Sequence, residues 1–350
     1  MDIYVLDENK NAFTVVDDYI SFIWTERYDK CGDFELYIPA DINALQYLKR
    51  DNYLRIPNSD TVMIIEDIYI DTDAEEGNFI TVQGRSLESI LDRRIVWGQK
   101  VVSGKLQDVI HSLLDDNVIN PSVLDRRIEG FIFEETNDPS ITNLEFEAQF
   151  EGDNLYDVIR TICSTFNIGF KITLNNVNNF SFKLYSGKNR TYDQTENAYV
   201  VFSPAYDNLI SSNYIESYKG YKNVTLVAGE GEGADRKTTT VGSGKGLDRR
   251  ELFTDAKKVS SKTNDGSTVD YDSLLAQAGI NNLTKNGKVV SFEANVDPTG
   301  LFKYGEHYFV GDIVQIVNEY GIQGTSRITE FIRSQNANGF TAYPTFTMIE

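Results

Sequence analysis

Apolar and polar residues alternate with period two through most of the first hundred residues, the spacing that sends successive side chains to opposite faces of a sheet. Ile20, Phe22 and Trp24 interleave with Tyr19, Ser21 and Thr25, and Phe34, Leu36 and Ile38 with Asp33, Glu35 and Tyr37. The more apolar set of each pair is expected inward. Residues 61–70 and 78–83 continue the pattern on either side of Asp73-Ala74-Glu75-Glu76-Gly77, whose composition predicts a turn. One short helix is expected at Ala44–Arg50.

The period then changes. Leu106, Val109, Ile110, Leu113, Leu114 and Val118 recur at helical spacing behind Ser103, a residue type that caps helices. Leu155, Val158, Ile159, Ile162, Cys163 and Phe166 form a second such stripe, opened by Asp153. Both stripes are expected to be core. Phe180, Phe182 and Leu184 alternate with Ser181 and Lys183, so this middle stretch reads as α+β. Strands return from Val200. Gly229-Glu230-Gly231-Glu232-Gly233-Ala234-Asp235-Arg236 and Gly242-Ser243-Gly244-Lys245-Gly246 have the composition of mobile surface loops. A weak helix is expected at Tyr271–Lys285, broken at Gly279. A strand follows with Val290, Phe292, Ala294 and Val296 inward, and Tyr308–Ile349 is strand-like again.

Two parts of the chain resemble each other. Leu54-Arg55-Ile56-Pro57-Asn58 matches Val314-Gln315-Ile316-Val317-Asn318, Ile65-Glu66-Asp67-Ile68 matches Ile328-Thr329-Glu330-Phe331, and Gly77-Asn78-Phe79 matches Asn338-Gly339-Phe340. The offsets stay between 260 and 263 residues. Order and spacing kept in this way predict two copies of one β-domain.

Composition narrows the function. With 53 acidic against 33 basic residues the formal charge is −20. Nucleic-acid binding needs Lys and Arg to displace counterions, and an anionic membrane surface asks for the same groups. The acidity suits a soluble, assembly-prone protein. Cys31 and Cys163 form no paired framework, which fits a reducing compartment. No basic, apolar leader opens the chain, and no run is long enough to span a bilayer.

The inventory for catalysis is thin. His111 and His307 belong to no ligand spacing, so no zinc site is expected. No serine sits in a Gly-x-Ser-x-Gly elbow. Gly244-Lys245-Gly246 lacks the first glycine and the hydroxyl residue of a phosphate loop, and Gly229, Gly231 and Gly233 lack the later glycine of a dinucleotide fingerprint. Tyr218-Lys219-Gly220-Tyr221-Lys222 is the nearest approach to a basic, aromatic patch, and it is weak. Two carboxylates suffice for glycoside hydrolysis, but their abundance makes any chosen pair uninformative.

What remains is a pattern of segments. Trp24-Thr25-Glu26-Arg27-Tyr28-Asp29-Lys30-Cys31-Gly32-Asp33-Phe34-Glu35-Leu36-Tyr37-Ile38-Pro39 resembles the opening signature of a siphophage tail-tip hub family, similar to the N-terminal part of tail-associated lysins and to contractile-tail baseplate hubs. There a Trp and a Tyr precede Gly-(Glu/Asp)-Phe-Glu-Leu, and a later strand pair ends in Gly-Arg-Ser, here Gly84-Arg85-Ser86. Val201-Phe202-Ser203, Asn223-Val224-Thr225-Leu226-Val227, Gly246-Leu247-Asp248-Arg249-Arg250-Glu251 and Tyr308-Phe309-Val310-Gly311-Asp312-Ile313-Val314 resemble later family segments, in order. Gly32 and Gly311 precede strands, where a positive φ or a close backbone approach is expected.

The resemblance implies a β-rich α+β multidomain fold. Two related antiparallel β-barrel domains would occupy residues 1–97 and 199–228 with 305–350. Two smaller α+β domains would occupy 98–198 and, with the glycine-rich loops, 229–304. It implies a structural virion protein assembled in the host cytoplasm: a homotrimeric hub or baseplate ring joining the tail tube to the tail tip. Neighbouring tail proteins (a distal tail ring, a tip fibre or spike) would be its partners, and DNA would pass through without specific binding. No catalytic, cofactor-binding or metal residue and no membrane insertion are expected. The sequence stops at Glu350 without a peptidase, lysozyme-like or fibre domain, so wall cutting or receptor binding is expected of another protein. The alternatives are a tail-associated glycan hydrolase and a module that binds host polysaccharide through exposed Tyr and Trp.

Overall fold

A computed structural model describes residues 1–75, 77–263, 268–296 and 300–349, with backbone only at 292–295. Glu76 of the expected turn, and the side chains of Phe292 and Ala294, lie outside the described residues.

The chain opens with β1 (Ile3–Leu6), β2 (Ala12–Val16), β3 (Ser21–Arg27), β4 (Asp33–Pro39), the one-turn helix α1 (Ala44–Tyr47), β5 (Tyr53–Arg55), β6 (Val62–Asp73) and β7 (Gly77–Ser86). Then come β8 (Gln99–Lys105), α2 (Leu106–Leu114), β9 (Phe131–Glu134), α3 (Pro139–Thr142), β10 (Glu145–Glu151) and α4 (Leu155–Thr165). β11 (Gly169–Leu174) and β12 (Phe180–Tyr185) form a hairpin ahead of β13 (Val201–Phe202) and β14 (Leu209–Ser217). β15 (Val224–Ala228), β16 (Thr238–Gly242), β17 (Glu251–Asp255), α5 (Tyr271–Lys285), β18 (Val289–Val296), β19 (Ile313–Val317), β20 (Gln323–Asn336) and β21 (Gly339–Met348) complete it.

Two compact units result. The first comprises Met1–Ser89, Gly169–Tyr214 and Ser291–Glu350. Its main sheet is antiparallel almost throughout and runs β14-β18-β21-β20-β3-β4-β7-β6-β5-β1-β2, with β19 and β13 branching from β20. The sheet is open: strands from the two chain ends share one ladder through the β3–β20 pairing, where Trp24 stands opposite Arg333, and do not close separately. Phe22, Trp24, Phe34, Leu36 and Ile38 face one core with Ile3, Leu54, Met63, Ile65 and Val82. Each such side chain contributes roughly 1.5–3 kcal/mol by leaving water. Ile20, expected inward, is exposed just ahead of β3, and Thr25, expected outward, is buried. A second core gathers Phe202, Tyr308, Val314, Ile316, Ile328, Phe331 and Phe346.

The internal similarity proves to be a repeat of strand pairing. Leu54 faces Met63 as Val314 faces Ser326. Ile65 faces Gly84 as Ile328 faces Phe346, one residue then bulges (Glu66 in β6, Thr329 in β20), and pairing resumes at Asp67–Gln83 and Glu330–Thr345. Bulges tie a ladder to one register, so two ladders bulging at matched residues are copies of one meander. The hairpins close at Gly77 and Gly339, with φ of 100° and 114°, a region L-residues rarely adopt. Gly77 therefore corresponds to Gly339, one position beyond the match read from sequence. The copy extends outward: β4 pairs with β7 as β18 pairs with β21, setting Phe34 opposite Gly84 and Phe292 opposite Phe346. It breaks at the next step, since β1 runs antiparallel to β5 and β13 parallel to β19.

The second unit comprises Ile90–Ile168 and Ile215–Val290. Strands β8 and β10 pair, and β16-β15-β17 form a small sheet in which β15 and β17 are parallel. Both expected helical stripes are buried on α2 and α4 except Phe166, half-buried at the C-cap of α4, but their N-caps differ. Ser103 lies within β8, paired with Glu147, and Lys105 precedes α2 without a side-chain cap. Helix α2 runs into a π-helical turn at Asp115–Ile119 that buries Val118. Asn154, not Asp153, caps α4, accepting the Asp157 N–H at 3.1 Å. Helix α5 continues through Gly279, where a Cβ would lie 2.7 Å from Val227 and 2.8 Å from Val241. The glycine there serves packing and breaks nothing.

Candidate functional site

The signature segments meet in the first unit. A Cβ on Gly32 would stand 2.2 Å from the Thr25 carbonyl oxygen, and one on Gly84 would stand 1.8 Å from that of Ile64. The Gly32 N–H donates to Ser86 Oγ at 2.7 Å. At the β6 bulge the Glu66 carboxylate accepts from Arg85 Nε at 2.8 Å and Nη2 at 2.9 Å, a forked pair. Glu88 follows, buried, its Oε1 accepting the Ile172 N–H at 2.8 Å. Burial pushes the Glu88 carboxyl up, and the Ser86 hydroxyl and Ile172 N–H pull it partly back. Every polar member of Gly84-Arg85-Ser86 is thus spent on joining strands.

Glu26 is the centre of a second cluster. Its Oε1 accepts from Arg333 Nη1 at 2.5 Å and Ser59 Oγ at 2.7 Å, and its Oε2 from the Tyr304 hydroxyl at 2.7 Å. The Tyr304 and Phe331 rings stack at 3.7 Å, and the Arg333 guanidinium lies over both. Burial, reinforced by Glu26, raises the Tyr304 hydroxyl well above its ordinary value. Alongside, Arg27 bridges Asp33 at 2.5 Å and Glu330 at 2.8 Å, and Lys30 reaches Glu330 at 3.0 Å. Burial pushes Glu330 up, but Lys30 and Arg27 outweigh it and hold the carboxyl below the usual range.

Gly311-Asp312 closes the cluster. Gly311 takes φ of 100° beside Tyr28, as expected of it; Gly32 needs the close approach instead. Asp312 accepts from Arg190 Nε at 2.6 Å, Lys188 N–H at 2.8 Å and Phe309 N–H at 3.1 Å. Arg327 Nη1 donates to the Gly311 carbonyl at 2.7 Å and the Tyr28 hydroxyl at 3.2 Å. A cleft of about 390 Å³ opens here, lined among others by Glu26, Arg27, Glu88, Lys171 and Asp312. Four of these charges are paired, Lys171 with Asp60 at 2.7 Å and Glu26, Arg27 and Asp312 as above, while Glu88 accepts a backbone N–H. Chemically, such a site ties together segments far apart in sequence.

The residues weighed singly in the sequence do not converge on it. His111 stacks on Phe133 at 4.6 Å, and His307 Nδ1 accepts the Lys303 N–H at 3.1 Å. Cys31 and Cys163 are buried and not disulfide-bonded. Among the described residues no group of His, Cys, Asp and Glu is arranged to hold a metal ion, and no helix is long and apolar enough to cross a membrane. The first glycine-rich loop is tied to its neighbours, and the second, at 242–246, is largely exposed. Arg236 donates to the Ala228 and Gly229 carbonyls at 2.7 and 2.8 Å, and Glu230 accepts from both Ser260 and Ser261. Tyr218 and Tyr221 cup Arg250 at 5.7 and 5.8 Å, so the chain's own cation occupies those rings. Sequence reasoning missed Glu26 and Arg333. Glu26 lies near the end of β3, and β20 is largely polar and carries a second arginine, Arg327, so nothing local singles out Arg333 or pairs it with Glu26.

A duplicated meander in one open, mostly antiparallel sheet, seamed by ion pairs, defines the class of protein. The chain belongs to the Siphovirus ReqiPepy6 Gp37-like protein family, whose model matches residues 2–346. No curated protein matches the sequence. The fold is shared with solved structures. A 43 kDa tail protein of prophage MuSo2 from Shewanella oneidensis superposes with a TM-score of 0.59 at 12% identity, over 99% of this chain and 98% of that one. A tail protein from Neisseria meningitidis MC58 gives 0.56 at 10% identity, over 100% and 96%. Prophage tail protein gp18 from Listeria monocytogenes EGD-e gives 0.54 at 14% identity, over 99% and 94%.

Proposed function

We propose that the chain is a structural component of a phage tail: a homotrimeric hub ring that joins the tail tube to the tail tip and lets DNA pass through its bore. The observation that carries this reading is the repeat of pairing, with bulges at Glu66 and Thr329. Two like modules per chain let three chains present six like positions, the number a hexameric tail ring would offer. On this reading the modules belong to two β-barrel-type domains, residues 1–97 and 199–228 with 305–350, joined edge to edge in the shared sheet, while 98–198 and 229–304 decorate the ring. Shared fold with prophage tail proteins supports it. So does a formal charge of −20, which discourages DNA from adhering. The protein acts by binding its neighbours in the virion, a distal tail ring on one side and a fibre or spike on the other, and not as an enzyme.

The test is the mass and symmetry of the purified protein. Light scattering is expected to give three chains, and projection images threefold or pseudo-sixfold density. A monomer at every concentration, alone and mixed with the neighbouring tail ring, would rule the hub out.

A further inference from the structure

The β3–β20 pairing joins the two copies of the module, and both of its halves recur where the sheet leaves them open. After its bulge, β20 gives the flank opposite β21 to β3, from Glu330–Arg27 to Gln335–Phe22. The same stretch of β6, counted from the bulge at Glu66, is Asp67–Thr72. Its flank opposite β7 carries β5 at Val62–Ile64 and, among the described residues, no strand beyond. Arg333 is buried in the β20 copy, while Ile70, its counterpart, is 55% exposed and Tyr69 beside it 51%. The counterpart of β3 is β14, the terminal strand of the sheet among the described residues, next to β18 as β3 is next to β4. Ile20-Ser21, Trp24, Glu26 and Tyr28 recur 190 residues on as Ile210-Ser211, Tyr214, Glu216 and Tyr218. Ile210 is 64% exposed and Ile215 40%.

We propose that β14 of one copy adds antiparallel to the Asp67–Thr72 edge of β6 in the next copy, with Tyr214 opposite Ile70 and Ile215 opposite Tyr69. Each boundary between copies then repeats the β3–β20 junction inside a copy. This rests on the ring reading above and says which edges close it. A donor strand and a different acceptor edge make a head-to-tail contact, the type that closes into rings. Charge selects the same partner. Two β6 edges side by side would set Asp67, Asp71 and Asp73 against their own copies, and like charges opposed across a ladder destabilise it. In the proposed register Asp71 meets Asn213 and Asp67 meets Ser217.

The test mixes two full-length single variants, Tyr214→Cys and Ile70→Cys, under mild oxidation, with the native chain as background for the buried Cys31 and Cys163. Paired strands bring the two Cα atoms within disulfide reach, so the mixture is expected to yield at least about tenfold more cross-linked chain than either variant alone. Tyr214→Cys mixed with Tyr69→Cys, out of register, is expected to stay at background. Cross-linking of either variant by itself would mean twofold edge pairing and overturn the proposal. Trimers in scattering with no cross-link in the mixture would overturn it too while leaving the hub standing. Monomers throughout, with no cross-link, would remove both. A further variant, Ile70→Asp, is expected to lose the oligomer while its melting temperature as a monomer is unchanged.

Discussion

Arg333 on β20 donates to Glu26 on β3 at 2.5 Å, across the seam where the two copies of the module meet. Both side chains are close to nine-tenths buried. Removing one partner leaves a buried charge without its counter-charge, which costs about 3–5 kcal/mol. Arg333→Met and Glu26→Met are each expected to lose roughly that much in urea denaturation. The double variant is expected to lose less than the sum, with a coupling of about 1–3 kcal/mol. Additive losses would mean that the stacked rings of Tyr304 and Phe331, and not the ion pair, hold the seam.

Gly84 gives a sharper test of the signature segment. A Cβ there would overlap the Ile64 carbonyl oxygen, which belongs to backbone and cannot rotate away. Gly84→Ala therefore forces β6 and β7 apart at the bulge and is expected to cost about 1–3 kcal/mol or more, as overpacking does. Gly220→Ala, where a Cβ meets nothing within 4 Å, is expected to change stability by less than about 0.5 kcal/mol. Equal melting temperatures for the two variants would contradict this account.

Much of the fold was legible because period-two and helical spacing report directly on which face is buried. Phe22, Trp24, Phe34, Leu36 and Ile38 and the stripes of α2 and α4 were all readable that way. The repeat was visible from residue types alone, yet its hairpin was misplaced by one position because Asn338-Gly339 and Gly77-Asn78 match equally well in either order. Caps failed where a polar residue lay within reach of a better one, as Asp153 did beside Asn154. Least legible was the network around Glu26, Arg190, Asp312 and Arg333. Its pairs lie 122 and 307 residues apart in sequence, and only the fold brings them together.

Gly279 sets propensity against packing. In an exposed helix Gly→Ala gains about 1 kcal/mol. Here the added methyl would press on Val227 and Val241, whose branched side chains have little rotamer freedom. Gly279→Ala is expected to be net destabilising, by about 1–2 kcal/mol. Val241→Ala combined with it is expected to recover part of the loss. A Gly279→Ala protein that melts higher than the native chain would show that α5 rides loosely on β15 and β16.

Glu88 makes the pH dependence of stability specific. Burial raises its carboxyl in the folded chain above the ordinary value of about 4.3 that it has when unfolded. A raised folded value means the folded state binds the proton more tightly. The associated stability is complete below pH of about 4.3 and is lost as pH climbs through the folded value. Glu88→Gln keeps an oxygen to accept the Ile172 N–H and has no proton to lose. The melting temperature of Glu88→Gln minus that of the native chain is expected to rise between pH 4 and pH 7, roughly the span over which the buried acid ionises. Glu330, held below its usual range by Lys30 and Arg27, has the opposite slope. Its contribution is present above the unfolded value and fades as pH falls, so Glu330→Gln is expected to converge on the native chain in acid. A difference for Glu88→Gln that stays flat over that range would show that the carboxyl is no harder to ionise in its buried site than in water.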